Sequence, residues 1–347
     1  MDLGIVIVNW NVRDLLAACL DSVYVDLAPS GLSSAVVVVD NGSNDGSVEM
    51  MQTNFPRTQL IQAENRGMGA GNNLGLRALG FGNSKSQIPN PNPTAFRSGD
   101  SSLQFPFAAL ILNPDTIIKP GALRALVSFL RDHPQAGVVA PKLVNGDGTL
   151  QHSGFQFPGF GQAALDLFLP PGHLARLIDS PLNGRYPAGW YSSGAPFRVD
   201  HTLGAAFAVR GEAIPDGELF DEVFHMYCEE IDAQWRLARA GWERWVAPGA
   251  EIIHYGGRST GQVRTQSFVN LWTSRRRLYY RHHTPLLNAL VRLLVEAAMR
   301  QHIRENHRLS QRGQLAPDRR AEINQALNEV IQEWQRRRPR TPGNQGK

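Results

Sequence analysis

The run Val36-Val37-Val38-Val39-Asp40-Asn41-Gly42-Ser43-Asn44-Asp45-Gly46 decides the fold: four branched apolar residues end abruptly in a carboxylate and a string of turn formers. A short continuous apolar run is the pattern of a strand covered on both faces. The Asn, Asp, Ser and Gly residues beyond it turn the chain and can cap a following helix. Upstream, residues 4 to 8 repeat the pattern and close on Asn9-Trp10-Asn11. Downstream, Ala108 to Leu112 repeat it and close on Asn113-Pro114-Asp115. Helical stretches around Leu15 to Val23, Leu74 to Leu79 and Gly121 to Leu130 alternate with these runs, and a weak strand falls near Leu60-Ile61. Such alternation predicts an α/β fold with a mixed, mainly parallel sheet flanked by helices.

Other segments break that rhythm. Residues 80 to 106, with four Pro and many Gly, Asn and Ser, read as a flexible surface insertion without chemistry of its own. Residues 141 to 200 are rich in Gly, Pro and aromatics and suit an acceptor-side loop or irregular lid. Val199 to Val209 reads as a strand interrupted at Gly204-Ala205-Ala206. Glu229 to Ala240 reads as a helix, and Trp245-Val246 opens a last strand pair ending at His254. Two tail helices follow. The first places Leu286, Leu287, Leu290, Val291, Leu294, Val295 and Ala298 on one face and Asn288, Arg292 and Glu296 on the other. The second uses Ile323, Leu327, Val330, Ile331 and Trp334. The expected organisation is a catalytic-size domain over 1–270, a basic helical extension over 271–335 and a disordered tail over 336–347.

Charge is uneven along the 347 residues. The net value is +4, yet residues 271 to 347 carry 16 Lys/Arg against 6 Asp/Glu, which leaves an acidic body. A basic tail points to an anionic surface, with membrane phospholipid preferred over nucleic acid. Cys19 and Cys228 lack the spacing of a zinc or redox site and read as free thiols in a reducing compartment. The opening Met1 to Val8 has no basic leader and reads as a buried strand, not a signal peptide. No uncharged apolar run reaches the ~20 residues that span a bilayer. The expectation is a cytoplasmic protein, peripheral on the inner membrane face if residues 275–300 attach there. The competing reading of the tail is packing on the main domain or a homodimer.

The candidate chemistry lies at strand ends, where ligands bind in parallel sheets. Asp40 is either an Asx-turn or a hydrogen-bond acceptor for a nucleobase or ribose. Asp115 is either a helix cap or a carboxylate anchor for Mg²⁺ or Mn²⁺ on a pyrophosphate. Asn65 to Asn73 could offer backbone N–H groups to phosphate, although it is neither a dinucleotide fingerprint nor a P-loop. Glu229, Glu230 and Asp232 cluster at a helix start, more carboxylates than a cap requires, and one could accept a hydroxyl proton. His254, opening onto Gly256-Gly257, is either structural or a second metal ligand beside Asp115.

Taken in order, Ile-Val-Asn-Trp-Asn, Asp40-Asn-Gly-Ser with Asp45-Gly-Ser, Glu64-Asn-Arg-Gly-Met-Gly-Ala-Gly-Asn-Asn, Leu112-Asn-Pro-Asp-Thr, Tyr227-Cys-Glu-Glu-Ile-Asp and His254-Tyr-Gly-Gly resemble the family 2 glycosyltransferases, in their rhamnosyltransferase-like branch. The resemblance spans roughly residues 3 to 260. It implies a GT-A, Rossmann-like fold and inverting transfer from a nucleotide-diphosphate sugar, dTDP- or UDP-linked, to a glycan or lipid-linked acceptor in cell-surface polysaccharide synthesis. It further implies that Asn9, Asp40, Asn65, Gly67, Asn72, Asn73, Asn113 and Asp115 hold the donor. Asp115 and His254 would hold Mg²⁺ or Mn²⁺, and Gly204, Ala205 and Glu229 would line the sugar and acceptor pocket. The family's usual Glu-Asp is Glu229-Glu230 here, so the base is Glu230, with Asp232 the alternative. A carboxylate displaced by ~1 Å can cost ~100-fold in rate. That departure leaves a second reading, a catalytically weak sugar-nucleotide-binding or scaffold protein of the same fold.

Overall fold

The computed structural model describes residues 1–82, 105–168, 172–256 and 264–336. The expected insertion therefore falls almost wholly outside the described residues, as do Gly257 and residues 337–347 of the tail expected to be disordered. The chain divides into two compact units: Met1–Phe157 with Asp179–Gln262, and Pro158–Ile178 with Val263–Lys347.

The first unit is built on one twisted sheet. Its strands are β1 (Leu3–Asn9), β2 (Ser34–Asp40), β3 (Gln59–Gln62), β4 (Ala108–Leu112), β5 (Thr116–Ile118), β6 (Ala136–Val144), β7 (Leu150–Gln151), β9 (Phe197–Arg198), β11 (Ala206–Arg210) and β12 (Glu243–His254), with β8 (Gly154–Phe155) and β10 (His201–Thr202) forming a separate small pair. The order is β3-β2-β1-β4-β11-β6-β12-β5. The first four strands are parallel, β11 runs antiparallel between β4 and β6, and β12 is parallel to β6.

Helices α1 (Arg13–Ser30), α2 (Ser47–Asn54), α3 (Met68–Ala78), α4 (Ala122–Asp132), α6 (Ala188–Ser192) and α7 (Glu229–Arg239) accompany the sheet. The unbroken apolar runs have the predicted cause. Along β1, Ile5 and Ile7 pack with Leu16 and Leu20 of α1, while Val6 and Val8 pack into the opposite core with Leu76 of α3. All four are at most 2% exposed. Helix α3 presses so close to β1 that a Cβ at Gly75 would lie 2.4 Å from Val6, and one at Gly71 2.9 Å from Val8. Gly71, inside the Asn65 to Asn73 stretch, and Gly75, just beyond it, are therefore held to glycine by sheet packing. Because β2 and β3 extend from one side of β1 and β4 from the other, a crevice opens beyond the C-terminal ends of β1 and β4.

The second unit is helical: α5 (Phe160–Leu167), α8 (Arg264–His282), α9 (Pro285–Gln311) and α10 (Pro317–Gln335). Its core gathers Trp272 and Tyr279 of α8, Val291, Val295 and Met299 of α9, and Leu327, Val330 and Trp334 of α10. Trp334 is fully buried and its indole N–H donates to the Trp272 carbonyl. Burying such side chains stabilises each by about 1.5–3 kcal/mol.

Three sequence expectations change here. A third tail helix, α8, escaped notice because its arginines mask the apolar stripe. Arg276 is 2% exposed, paired with Glu333, and Arg275 lies over the Trp272 ring and pairs with Asp166. Within the expected loop or lid of 141–200, residues 158–178 belong to the helical unit, not the first. The face assigned to Leu286 through Ala298 is in fact two. Val291, Val295 and Ala298 enter the core, whereas Leu286 and Leu290 point outward, and Asn288, expected on the polar face, is buried.

Candidate functional site

The crevice beyond β1 and β4 contains a cavity of about 250 Å³. Its floor is apolar, made by Val8, Ile111, Phe207 and Phe220. Its polar groups arrive on separate loops, each fixed by local chemistry.

The loops after β1 and β2 are laced together. Asn9 donates to Asp40 Oδ1 (2.8 Å) and Ser43 Oγ (3.1 Å), and the Ser43 amide donates to Asp40 Oδ2 (2.9 Å). Asn11 and Asp45 accept from the Asn44 and Arg13 amides. Asp40 is 2% exposed with both oxygens engaged, and Asn9 is fully buried. Neither reaches the cavity; the wall is formed instead by Trp10 and Asn41 beside them. Asp40 thus ties the turn after β2 together through the amide three residues on.

Asn65, Gly67 and Asn72 do line the cavity. Asn65 Oδ1 accepts from the Gly67 amide at 3.1 Å, and Gly67 adopts φ +101°, where its missing side chain leaves room for the His225 carbonyl. Asn73 points elsewhere. It donates to the Phe220 carbonyl (2.8 Å) and accepts from the Phe220 amide (3.0 Å), clamping the 220 loop.

Asn113 and Asp115 follow β4 onto the cavity wall. Antiparallel pairing of β5 with β12 sets His254 opposite Thr116, and the Tyr255 amide donates to the Asp115 carbonyl. His254 Nε2 consequently lies 3.3 Å from Asp115 Oδ1. The other ring nitrogen, Nδ1, lies 2.7 Å from Gln151 Oε1, and Gln151 is itself oriented by donating to Asn145. A carbonyl oxygen only accepts, so Nδ1 carries a proton, and Nε2 is the ring nitrogen that faces the carboxylate. Nε2 is buried without a hydrogen-bond partner. A carboxylate and an imidazole nitrogen converging on one point are a donor set that a divalent cation fits when the ring is neutral. Among the described residues no cluster of three such side chains occurs, so remaining ligands would come from substrate and water.

Opposite them, α7 begins at the cavity. Tyr227 and Cys228 enter it with φ +67° and +66°, a left-handed pair that non-glycine residues adopt only under constraint. The turn aims Glu229 and Glu230 at the cavity, where both line the wall. Glu230 packs against Gly204, where a Cβ would meet its side chain at 3.3 Å. Gly204 and Ala205 complete this wall. Burial pushes the Glu230 carboxyl up to about 7. Burial, then the charge of Glu230, holds Glu229 well above the usual carboxylate range. Glu229 Oε2 has no partner, as suits a neutral acid. Asp232, the alternative base, is fully buried, accepts from Arg236 at 2.9 Å and does not line the cavity.

The cavity thus unites Asn65, Gly67, Asn72, Asn113, Asp115, Gly204, Ala205, Glu229, Glu230 and His254, and leaves out Asn9, Asp40, Asn73 and Asp232. Sequence reading missed Gln151, which sits on a two-residue strand without a pattern, and Trp10 and Tyr227, which lie within quoted motifs but carry no charge.

Comparison with known proteins gives a consistent picture. A family described as "Glycosyltransferase like family 2" matches residues 2–280. An N-acetylglucosaminyl-diphospho-decaprenol L-rhamnosyltransferase from Mycobacterium tuberculosis, strains CDC 1551 / Oshkosh and H37Rv, is 28% identical over 66% of this chain and 68% of its own. Among solved structures, the mannosyltransferase PcManGT from Pyrobaculum calidifontis, in complex with GDP-Man and Mn²⁺, superposes with a TM-score of 0.52. It is 15% identical over 95% of this chain and 86% of its own, a likeness of fold.

Proposed function

We propose a reaction from one premise: the chain belongs to the glycosyltransferase-like family 2, and it is a glycosyltransferase. The reaction is inverting transfer of a deoxyhexose, rhamnose by analogy with the mycobacterial relative, from a nucleoside-diphosphate donor to a hydroxyl of a lipid-linked glycan. The product serves cell-envelope polysaccharide synthesis at the inner membrane face. The observation that carries this reading is the placing of Glu230 and the Asp115–His254 pair on one cavity.

The acceptor hydroxyl enters beside Gly204 and passes its proton to Glu230 as its oxygen attacks the anomeric carbon from the face opposite the diphosphate. A base poised near neutrality combines a workable ionised fraction with enough basicity to take the proton. Glu229, held neutral, can donate a hydrogen bond to a sugar hydroxyl. The apolar floor excludes water that would otherwise hydrolyse the donor. Asp115 and His254 would hold Mg²⁺ or Mn²⁺, which neutralises charge on the leaving diphosphate when bound.

The test is donor turnover by Glu230→Gln beside wild type, with donor binding followed by calorimetry. Loss of a general base costs roughly 10²–10⁴ in rate, so turnover should collapse while binding persists. Undiminished turnover would remove Glu230 from the mechanism.

A further inference from the structure

Helix α9 buries one side and leaves the other open along its whole length. The buried side is Val291, Val295, Ala298 and Met299. The open side begins with Leu286, 71% exposed, Leu290 at 45% and Leu293 at 58%. Their i, i+4, i+7 spacing puts them on one line. Continued at helical spacing, that line meets Arg300, Arg304 and Arg308, all exposed. One helix face is therefore apolar over its first turns and basic over its last.

We propose that this face of α9 lies on an anionic phospholipid surface. Three exposed leucines in register are more than scattered surface apolar residues require. A bilayer meets both halves of the stripe, acyl chains taking the leucines and phosphates the arginines. A second copy meets them less well, since the same face of a partner repeats the three arginines and has only Glu305 beside them to answer their charge. Arg300 is tied to Glu296 in its own helix, which leaves Arg304 and Arg308 as the principal headgroup contacts. Among the described residues no helix is long and apolar enough to cross a membrane, so attachment is to its surface. The proposal deepens the reading of a lipid-linked acceptor by naming the surface that brings the enzyme to it.

The experiment is co-sedimentation of the full chain with phosphatidylcholine vesicles, with and without phosphatidylglycerol. It compares wild type, the triple variant Leu286→Ser, Leu290→Ser, Leu293→Ser, and the pair Arg304→Glu, Arg308→Glu. Wild type should sediment with the anionic vesicles and release in high salt. Each variant should bind at least about tenfold more weakly, as expected when an apolar or electrostatic half of the attachment is removed. All three proteins should transfer sugar equally to a water-soluble acceptor, which separates failure of this surface from failure of the proposed reaction. Circular dichroism confirms that the substituted surface leaves the fold intact, and the arginine pair stands as an independent second variant. Anionic vesicle binding that survives in both variants, or is absent in wild type, overturns the proposal. A wild-type dimer that the leucine variant converts to monomer, without vesicle binding, assigns the face to a second copy instead.

Discussion

The first turn of α7 and the loop after β2 both hold shielded carboxylates, half-buried at Glu229 and Glu230 and buried at Asp40, and they treat them in opposite ways. At Asp40 each oxygen accepts a hydrogen bond: from Asn9 on one, from the Ser43 amide on the other. At Glu229 and Glu230 the surroundings supply burial without a counter-ion, and both carboxyls rise. Asp232, less than a turn along the same helix, returns to the first pattern with Arg236. Side-chain donors and a counter-ion that satisfy a carboxylate turn it into framework; without them the proposed proton acceptor sits beside the cavity with its carboxyl raised.

The largest expected effect is the collapse of turnover in Glu230→Gln, measured as donor consumption, while the corresponding change at Asp232 should act through folding and lower the thermal midpoint. Full activity in a well-folded Glu230→Gln would erase the contrast. Stability should show the same contrast with the sign reversed. A carboxyl whose folded value is raised to about 7 from an ordinary 4.5 contributes stability present below pH 4.5 and lost as pH climbs through about 7. Glu230→Gln should therefore be more stable than wild type at pH 8, by up to about 3 kcal/mol, with the advantage gone at pH 4. Urea unfolding at the two pH values measures it, and an advantage independent of pH would point to packing instead.

Gln151 extends the comparison to Asp115 and His254, the pair proposed to hold the metal. Replacing it with Leu frees the His254 ring to change tautomer or rotate, and loss of such an outer hydrogen bond costs roughly 10–100-fold in metal affinity. Calorimetric titration with Mn²⁺ reads this directly; unchanged affinity would mean the ring is held by its other neighbours. The smallest effect belongs to Asp40→Asn. One oxygen becomes a donor facing another donor, at a cost of about 1–3 kcal/mol in stability. A variant with unchanged thermal midpoint but no donor binding would return Asp40 to the ligand-contacting role that its position after a strand suggested.

Strand ends were legible because a run such as Val36–Val39 has few other uses, and the positions of Asp115 and His254 followed from them. Partner assignments were not. That Asp40 meets Asn9 across 31 positions, and Asn73 meets Phe220 across 147, depends on tertiary contacts that local pattern does not encode. The packing need at Gly71, within the Asn65 to Asn73 stretch, and at Gly75 beyond it was equally hidden, since Val8 and Val6 lie beneath them only in the folded chain. Helix α8 was hidden for a related reason: arginines that count as solvent-facing in a sequence bury their length when an aromatic ring or carboxylate waits for them.

The pH dependence of transfer, with saturating donor and a soluble acceptor, tests the central assignment most directly. Wild-type rate should rise with unit slope through about pH 7 to a plateau as Glu230 loses its proton, and Glu230→Gln should be slow and flat across that range. A rise near pH 7 that persists unaltered in Glu230→Gln would place the proton acceptor elsewhere and contradict the account.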